Sequence, residues 1–157
     1  MYNETYSVRA TTSLKVLERA YFQYMPKLEA QIVGNIGLYY VSYRLSQLGW
    51  NVMSTARNAK GIDLIAYSLD GPSYVGVQIK SLSKRSPVPL GTSLDSIMGD
   101  YWVIAYKVVD SPVAFVMKPD EERELAHRGE RSDRVSYWLQ PSAYDIDDFR
   151  EAWNRIE

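Results

Sequence analysis

Three polar residues of the chain, Asp63, Gln78 and Lys80, have the chemistry to act together on a phosphate ester. Gln78 and Lys80 are two residues apart, so an extended backbone places their side chains on one face. Asp63 is separated from them by residues 68–73, a turn-rich segment with Asp-Gly at its centre. A carboxylate, an amide and an ammonium group could together hold one Mg²⁺ ion and a phosphate.

The two apolar segments that carry these residues are predicted to form a β-hairpin. If Tyr67 pairs with Tyr74 in antiparallel fashion, Asp63 faces Gln78, and Lys80 follows on the same face. Each residue also has an ordinary interpretation. Asp63 could bond the backbone of a turn, and Gln78 and Lys80 could form the solvated face of an edge strand. The three residues together, in the register predicted for the hairpin, favour a functional site over these separate interpretations.

A long helix is predicted upstream of the hairpin, over residues 27–48, because apolar residues recur there at spacings of three and four. Gly49 follows it as a C-terminal cap. Gly34 and Gly37 share one face of this helix, although each costs about 1 kcal/mol relative to alanine. A close approach of a sheet, another helix or a nucleic-acid backbone would explain them.

The rest of the chain is predicted to complete a single α/β domain, residues 1–157, with no internal repeats. His127 is placed at a helix end, where it would interact with the helix dipole. Further elements are predicted as a helix at 11–25, strands at 51–55, 101–108, 113–118 and 135–139, a short helix at 93–98, a helix from Pro119 to near Arg128 and Gly129, and a closing amphipathic helix at 142–156.

Composition narrows the function classes. The 157 residues are 46% hydrophobic and carry a net charge of −1, so a core is expected but no global positive field. The absence of cysteine excludes thiolate zinc sites, disulfides and cysteine nucleophiles, and the single histidine argues against histidine-dependent nuclease or triad chemistry. No apolar stretch is long enough to span a membrane, and no signal pattern opens the chain, so a cytoplasmic location is expected.

The order of elements and the hairpin residues resemble the PD-(D/E)xK nuclease superfamily, which includes restriction endonucleases, Holliday-junction resolvases and some homing endonucleases. The resemblance covers roughly residues 30–107 and rests on four segments: GNIG (34–37), LGWNV (48–52), GIDLIA (61–66) and VQIKS (77–81). It implies a restriction-endonuclease-like core, a mixed β-sheet flanked by helices in the order α-β-β-β-α-β. The core would span about 28–118, with an N-terminal extension at 1–26 and C-terminal additions, including a helix, at 119–157.

The resemblance implies a role for each site residue. Asp63 and Gln78 would bind Mg²⁺ or Mn²⁺, and the backbone carbonyl of Ile79 would be a further ligand. Lys80 would act at the phosphate. The chain would then be a metal-dependent endonuclease that hydrolyses DNA.

This chain departs from the superfamily pattern at three positions. Ile62 replaces a proline, Gln78 replaces an acidic residue, and Leu38 replaces a helical glutamate. Glu29 could substitute for that glutamate only with a different helix register. Because Asp63 alone then brings a formal negative charge, a second interpretation stays open: a relative that binds nucleic acid or protein without catalysis.

Four basic residues border the predicted site and could contact the phosphate backbone of nucleic acid: Arg57, Lys60, Lys84 and Arg85. DNA is the expected partner, and RNA is not excluded by the residues. A homodimer is also expected, since enzymes of this fold often cut two strands as dimers. A third interpretation is an oligomeric accessory protein that interacts through the predicted N-terminal helix and its many tyrosine and tryptophan residues.

Overall fold

The computed structural model describes residues 27–55, 61–69, 71, 73–132 and 134–157. Two compact units are distinguished, Met1–Ala30 and Gln31–Glu157. The predicted N-terminal extension with its helix lies outside the described residues, as do Arg57 and Lys60. The prediction of a single domain over the whole chain therefore stays a prediction.

The described residues form three α-helices and eight strands. The helices are α1 (Ala30–Gln47), α2 (Pro119–Leu125) and α3 (Pro141–Tyr144), with 3-10 turns at Leu94–Ser96 and Trp153–Arg155. The strands are β1 (Trp50–Ser54), β2 (Leu64–Ser68), β3 (Tyr74–Leu82), β4 (Val88–Gly91), β5 (Tyr101–Tyr106), β6 (Val113–Met117), β7 (His127–Arg131) and β8 (Arg134–Leu139). None of the described helices is long and apolar enough to cross a membrane.

The larger sheet has the strand order β1-β2-β3-β5-β6 and is mixed, because β3 and β5 run parallel while the other neighbours are antiparallel. Within the β2–β3 hairpin, Tyr67 pairs with Tyr74 and Leu64 with Val77, which confirms the predicted register over residues 64–67. The predicted pairing of Asp63 with Gln78 is wrong, because the Asp63 N–H bonds to the Val77 carbonyl. The continuous apolar sequence of β5 is buried along most of its length. Such a strand belongs in the interior of a sheet, covered on both faces.

One face of this sheet is covered by α1. A Cβ atom added to Gly37 would lie 1.9 Å from the Ser81 Oγ, so β3 is the neighbour that approaches the helix closely. No atom of the described residues lies within 4 Å of a Cβ built at Gly34, but the Ser81 Oγ donates to the Gly34 carbonyl at 3.4 Å, so β3 approaches the helix backbone there as well. The helix buries a stripe with a spacing of four residues: Val33, Gly37, Val41 and Leu45.

The other face packs against a smaller sheet of order β4-β8-β7. A single apolar cluster joins the two sheets, with members from β4, β5, β6, β8 and the C-terminal segment: Val88, Trp102, Ile104, Phe115, Met117, Leu139 and Tyr144. Gln78 and Lys80 lie toward this side of the larger sheet, because they pair with Trp102 and Ile104 in the β3–β5 ladder.

Several predicted elements differ from the structure. The predicted closing helix at 142–156 is wrong, because α3 ends at Tyr144 and Arg150 instead forms a β-bridge to Phe115. The predicted short helix at 93–98 is only a 3-10 turn. The helix that begins at Pro119 ends at Leu125. His127 therefore begins β7 and does not lie at the helix end predicted for it.

Candidate active site

Asp63 immediately precedes β2, at the end of the β2–β3 hairpin. Its backbone N–H donates to the Val77 carbonyl at 2.9 Å, although Val77 already pairs with Leu64, so the register shifts by one residue at this end of the hairpin. Its carboxylate Oδ2 accepts a hydrogen bond of 2.6 Å from the backbone N–H of Ile79. The side chain is otherwise exposed. The carboxylate is thus fixed beside the middle of β3 and remains open to solvent.

Gln78 and Lys80 lie on β3, one residue to either side of Ile79. Cross-strand pairing sets Gln78 beside Trp102 and Lys80 beside Ile104. The Lys80 Nζ lies 5.0 Å from the centroid of the Trp102 ring, a cation–π arrangement. Both Gln78 and Lys80 are half-buried. The structure therefore brings Asp63, Gln78 and Lys80 to one region of the sheet.

Ile79 contributes its backbone to this region. Its N–H points toward Asp63, beyond the last residue pair of the β2–β3 ladder. In a strand, the N–H and C=O groups of one residue point to the same side. The Ile79 carbonyl oxygen is therefore directed toward the same open edge as the Asp63 carboxylate.

A divalent metal ion fits this set of donors. The Gln78 Oε1 atom is buried and has no hydrogen-bond partner among the described residues. A buried acceptor without a partner is costly, and a bound cation would satisfy it. With the Asp63 carboxylate and the Ile79 carbonyl, the available ligands are all oxygens, which Mg²⁺ and Mn²⁺ prefer.

The negative charge offered to such an ion is small. Among the described residues, no group of three or more His, Cys, Asp or Glu side chains could hold a metal ion. Leu38 lies half-buried on α1, where its side chain offers no ligand. Glu29 is exposed and precedes α1. Water molecules would have to complete the coordination shell.

The two described members of the predicted basic border differ from each other. Lys84 is exposed in the loop that follows β3. The Arg85 Nε donates to the Asp145 Oδ2 at 2.9 Å, so its charge is partly neutralised within the protein. Lys84 is therefore the more available of the two for a nucleic-acid phosphate.

Sequence reasoning missed Glu122, which lies on α2 and is fully buried. Burial raises the pKa of its carboxyl group to about 9, and the positive charges of Lys80 and Arg123 oppose this rise. The acidic start of the helix suggested only a favourable dipole interaction. No spacing within the seven residues of α2 distinguishes Glu122 from its exposed acidic neighbours Asp120 and Glu124.

Comparison with known proteins adds information on the fold. No family model and no curated protein sequence matches the chain. Among solved structures, the bacterial homing endonuclease I-Ssp6803I is similar at 20% identity with a TM-score of 0.55, over 80% of this chain and 91% of that one. The Holliday-junction resolvase Hjc of Archaeoglobus fulgidus matches at 14% identity with a TM-score of 0.45, over 68% of this chain and 90% of that one.

The likeness to the homing endonuclease concerns the fold. It extends over most of both chains, and it agrees with the five-stranded mixed sheet and its flanking helices. The predicted fold class, a restriction-endonuclease-like α/β core, is thereby confirmed.

Proposed function

We propose that the chain is a metal-dependent endonuclease that hydrolyses phosphodiester bonds in DNA. The observation that carries the proposal is the 2.6 Å hydrogen bond between the Asp63 carboxylate and the backbone of Ile79, the residue that follows Gln78 on β3. The likeness of the fold to that of a homing endonuclease supports a nuclease. Fold alone does not determine activity, so the proposal rests on the site.

Three oxygen donors would hold the Mg²⁺ or Mn²⁺ ion: the Asp63 carboxylate, the Gln78 amide oxygen and the Ile79 carbonyl. Such an ion, when bound, polarises a phosphoryl oxygen and lowers the pKa of water. The hydrogen bond from the Ile79 N–H fixes one oxygen of Asp63 and leaves the other for a ligand. Strand β3 thus carries two of the three oxygen ligands, on Gln78 and Ile79, and its backbone also orients the Asp63 carboxylate.

Lys80 would act on the phosphate itself. In hydrolysis, a water oxygen forms a bond to phosphorus while the bond to the leaving sugar oxygen breaks, and negative charge builds on the phosphoryl group. A preorganised ammonium group offsets this charge. Because Lys80 follows Gln78 on the same face of β3, its Nζ can reach a phosphate held at the metal site.

Binding of the nucleic-acid backbone is assigned to the basic border of the site. Lys84 and Arg85 follow β3, and Arg57 and Lys60 precede Asp63 in the sequence. Phosphate contacts of this kind position a nucleic acid without reading its sequence. The choice of DNA, a homodimeric assembly and a cytoplasmic location remain parts of the proposal.

Cleavage assays with a lysine variant test the proposal. Purified protein is incubated with plasmid, branched and single-stranded DNA in Mg²⁺ or Mn²⁺, and Lys80→Ala is compared with the control Lys107→Ala, an exposed lysine after β5. Wild type and the control should cleave, and Lys80→Ala should be slower by at least about 100-fold. Cleavage that survives Lys80→Ala would refute the proposed role of the site.

The small negative charge at the metal site favours one alternative function, a binding module without catalysis. Only Asp63 offers a carboxylate there, since Leu38 and Gln78 stand where related nucleases carry acids. Such a module would bind DNA equally well with and without a chelator. A double variant, Leu38→Glu with Gln78→Glu, that gains cleavage absent from wild type would favour this alternative.

A further inference from the structure

The hairpin formed by β7 and β8 is an exposed basic element at the edge of the smaller sheet. β7 lies at that edge, with β8 between it and β4, and four of its five residues are exposed. The two strands carry Arg128, Arg131 and Arg134, although the net charge of the whole chain is −1. None of these arginines has a role in the candidate active site.

The burial of β8 distinguishes the two faces of this hairpin. Leu139 belongs to the apolar cluster that joins the two sheets, and Tyr137 packs against that cluster. Because side chains alternate along a strand, Arg134 points to the opposite, outer face. Arg131 pairs with Arg134 across the ladder, so it lies on the outer face as well. Both arginines are exposed.

The charges on the two faces also differ. On the inner face, the Arg128 Nη2 lies 2.9 Å from the Glu130 Oε2, so these two charges neutralise each other. On the outer face, neither Arg131 nor Arg134 forms an ion pair with any described residue. No acidic residue occupies an outward position of either strand. The outer face therefore presents two uncompensated positive charges at the end of the hairpin.

The arrangement of these two arginines does not serve stability. They form the last pair of the β7–β8 ladder, and like charges directly opposite each other destabilise a sheet. Charge on an edge strand can prevent aggregation, but it does not require such a pair. The hairpin has other support, because a Cβ at Gly129 would overlap the Trp138 ring, which therefore lies against the β7 backbone. An external anion would turn the repulsion between the arginines into a shared attraction.

We propose that the outer face of the β7–β8 hairpin binds the DNA backbone, with Arg131 and Arg134 each at a phosphate. The planar guanidinium group matches a phosphate with two parallel hydrogen bonds. A two-stranded ribbon also fits the major groove, which phosphates flank on both sides. The inference rests on the proposed function, because it takes DNA as the substrate. It adds a contact surface separate from the basic border of the candidate active site.

DNA binding in EDTA tests this surface without metal or cleavage. The affinity for labelled duplexes of two unrelated sequences is measured against salt concentration for Arg131→Gln, Arg134→Gln and the double variant. Each single variant should reduce the slope of the logarithm of the binding constant against the logarithm of salt concentration by about one, and the double variant by about two. Near about 0.1 M salt, each arginine should account for roughly five- to tenfold in affinity, equally for both sequences.

The matched control is Arg128→Gln, which removes the same charge from the inner face of the same hairpin. Its slope and affinity should stay close to those of the wild type, because Glu130 already neutralises Arg128. The outer-face variants should unfold at the same temperature as the wild type or above it, since they relieve a repulsion. A reduced slope in these variants then reports a lost contact in a folded protein.

Several results would overturn the inference. These are an unchanged slope in the double variant, an equal reduction by Arg128→Gln, and a loss of affinity for only one of the two sequences. Displacement of the DNA by poly-L-glutamate at equal charge concentration would assign the face to an acidic protein instead, and would also overturn it. Full cleavage by Lys80→Ala would overturn the proposed function, while the slopes measured in EDTA still decide the role of the hairpin.

Discussion

Glu122→Gln should remove a pH dependence of stability that one buried carboxyl group creates. Burial raises the pKa of Glu122 from 4.5 to about 9 in the folded protein. Between these values the folded protein keeps the proton, whereas the unfolded chain releases it. Because the folded state binds more protons, the free energy of unfolding of the wild type falls as the pH rises through this window.

The magnitude follows from the linkage relation. One proton difference changes the free energy of unfolding by up to about 1.4 kcal/mol per pH unit, or up to about 3 kcal/mol between about pH 6 and about pH 8. Urea unfolding followed by tryptophan fluorescence gives this quantity for wild type and variant. The stability advantage of Glu122→Gln over wild type should grow with pH by an amount of this order.

The matched control is Glu124→Gln, since Glu124 is exposed on the same helix. Its difference from wild type should stay nearly constant over the same pH range. If the advantage of Glu122→Gln changed by less than about 0.5 kcal/mol between the two pH values, the carboxyl group would ionise alike in both states. The argument from burial would then be refuted.

Further predictions concern the helix contact, the metal ligand and the basic border. Gly37→Ala should destabilise the protein by about 1–3 kcal/mol in urea unfolding, because its Cβ would overlap β3. Gly34→Ala, whose Cβ meets open space, should stabilise it by about 0.5–1 kcal/mol. Equal effects of the two variants on the free energy of unfolding would contradict the proposed overlap at Gly37. Asp63→Asn should weaken Mn²⁺ binding at least about tenfold by calorimetry without loss of fold; unchanged binding would exclude Asp63 as a ligand. Lys84→Ala should reduce the slope of the logarithm of the DNA-binding constant against the logarithm of salt concentration by about one, unlike Lys107→Ala. An unchanged slope would place Lys84 outside the interface.

The hairpin that carries the candidate site could be predicted because its signals are local. An Asp-Gly turn between two apolar segments determines which residues face each other, and the observed pairing of Tyr67 with Tyr74 follows from it. The long helix α1 was predictable from its spacing, but its buried face was not. Tyr39 and Tyr43 were counted in the apolar pattern, yet they are 68% and 61% exposed.

The C-terminal segment shows why other elements were not predictable. Phe149, Trp153 and Ile156 recur at helical spacing, and all three are buried. They are held by long-range backbone pairing, however: the Val116 N–H donates to the Phe149 carbonyl at 2.8 Å. Glu151 has a φ of 50°, which a helix does not allow. Tertiary hydrogen bonds to β6 thus override the local pattern.

Two strands of the smaller sheet were missed for related reasons. β4 contains Pro89, which argues against a central strand but is tolerated at the edge position that β4 occupies. β7 begins with His127 and is mostly polar, so it carries no apolar alternation. The burial of Glu122 depends on how α2 packs, which no spacing within seven residues specifies on its own.

The most direct test of the central claim is a crystal of the protein soaked in Mn²⁺ and measured at the manganese absorption edge. An anomalous peak within coordination distance of the Asp63 carboxylate, the Gln78 Oε1 and the Ile79 carbonyl oxygen is the predicted result. Ordered side chains at these positions with no peak beside them, or a peak bound only elsewhere, would contradict the account.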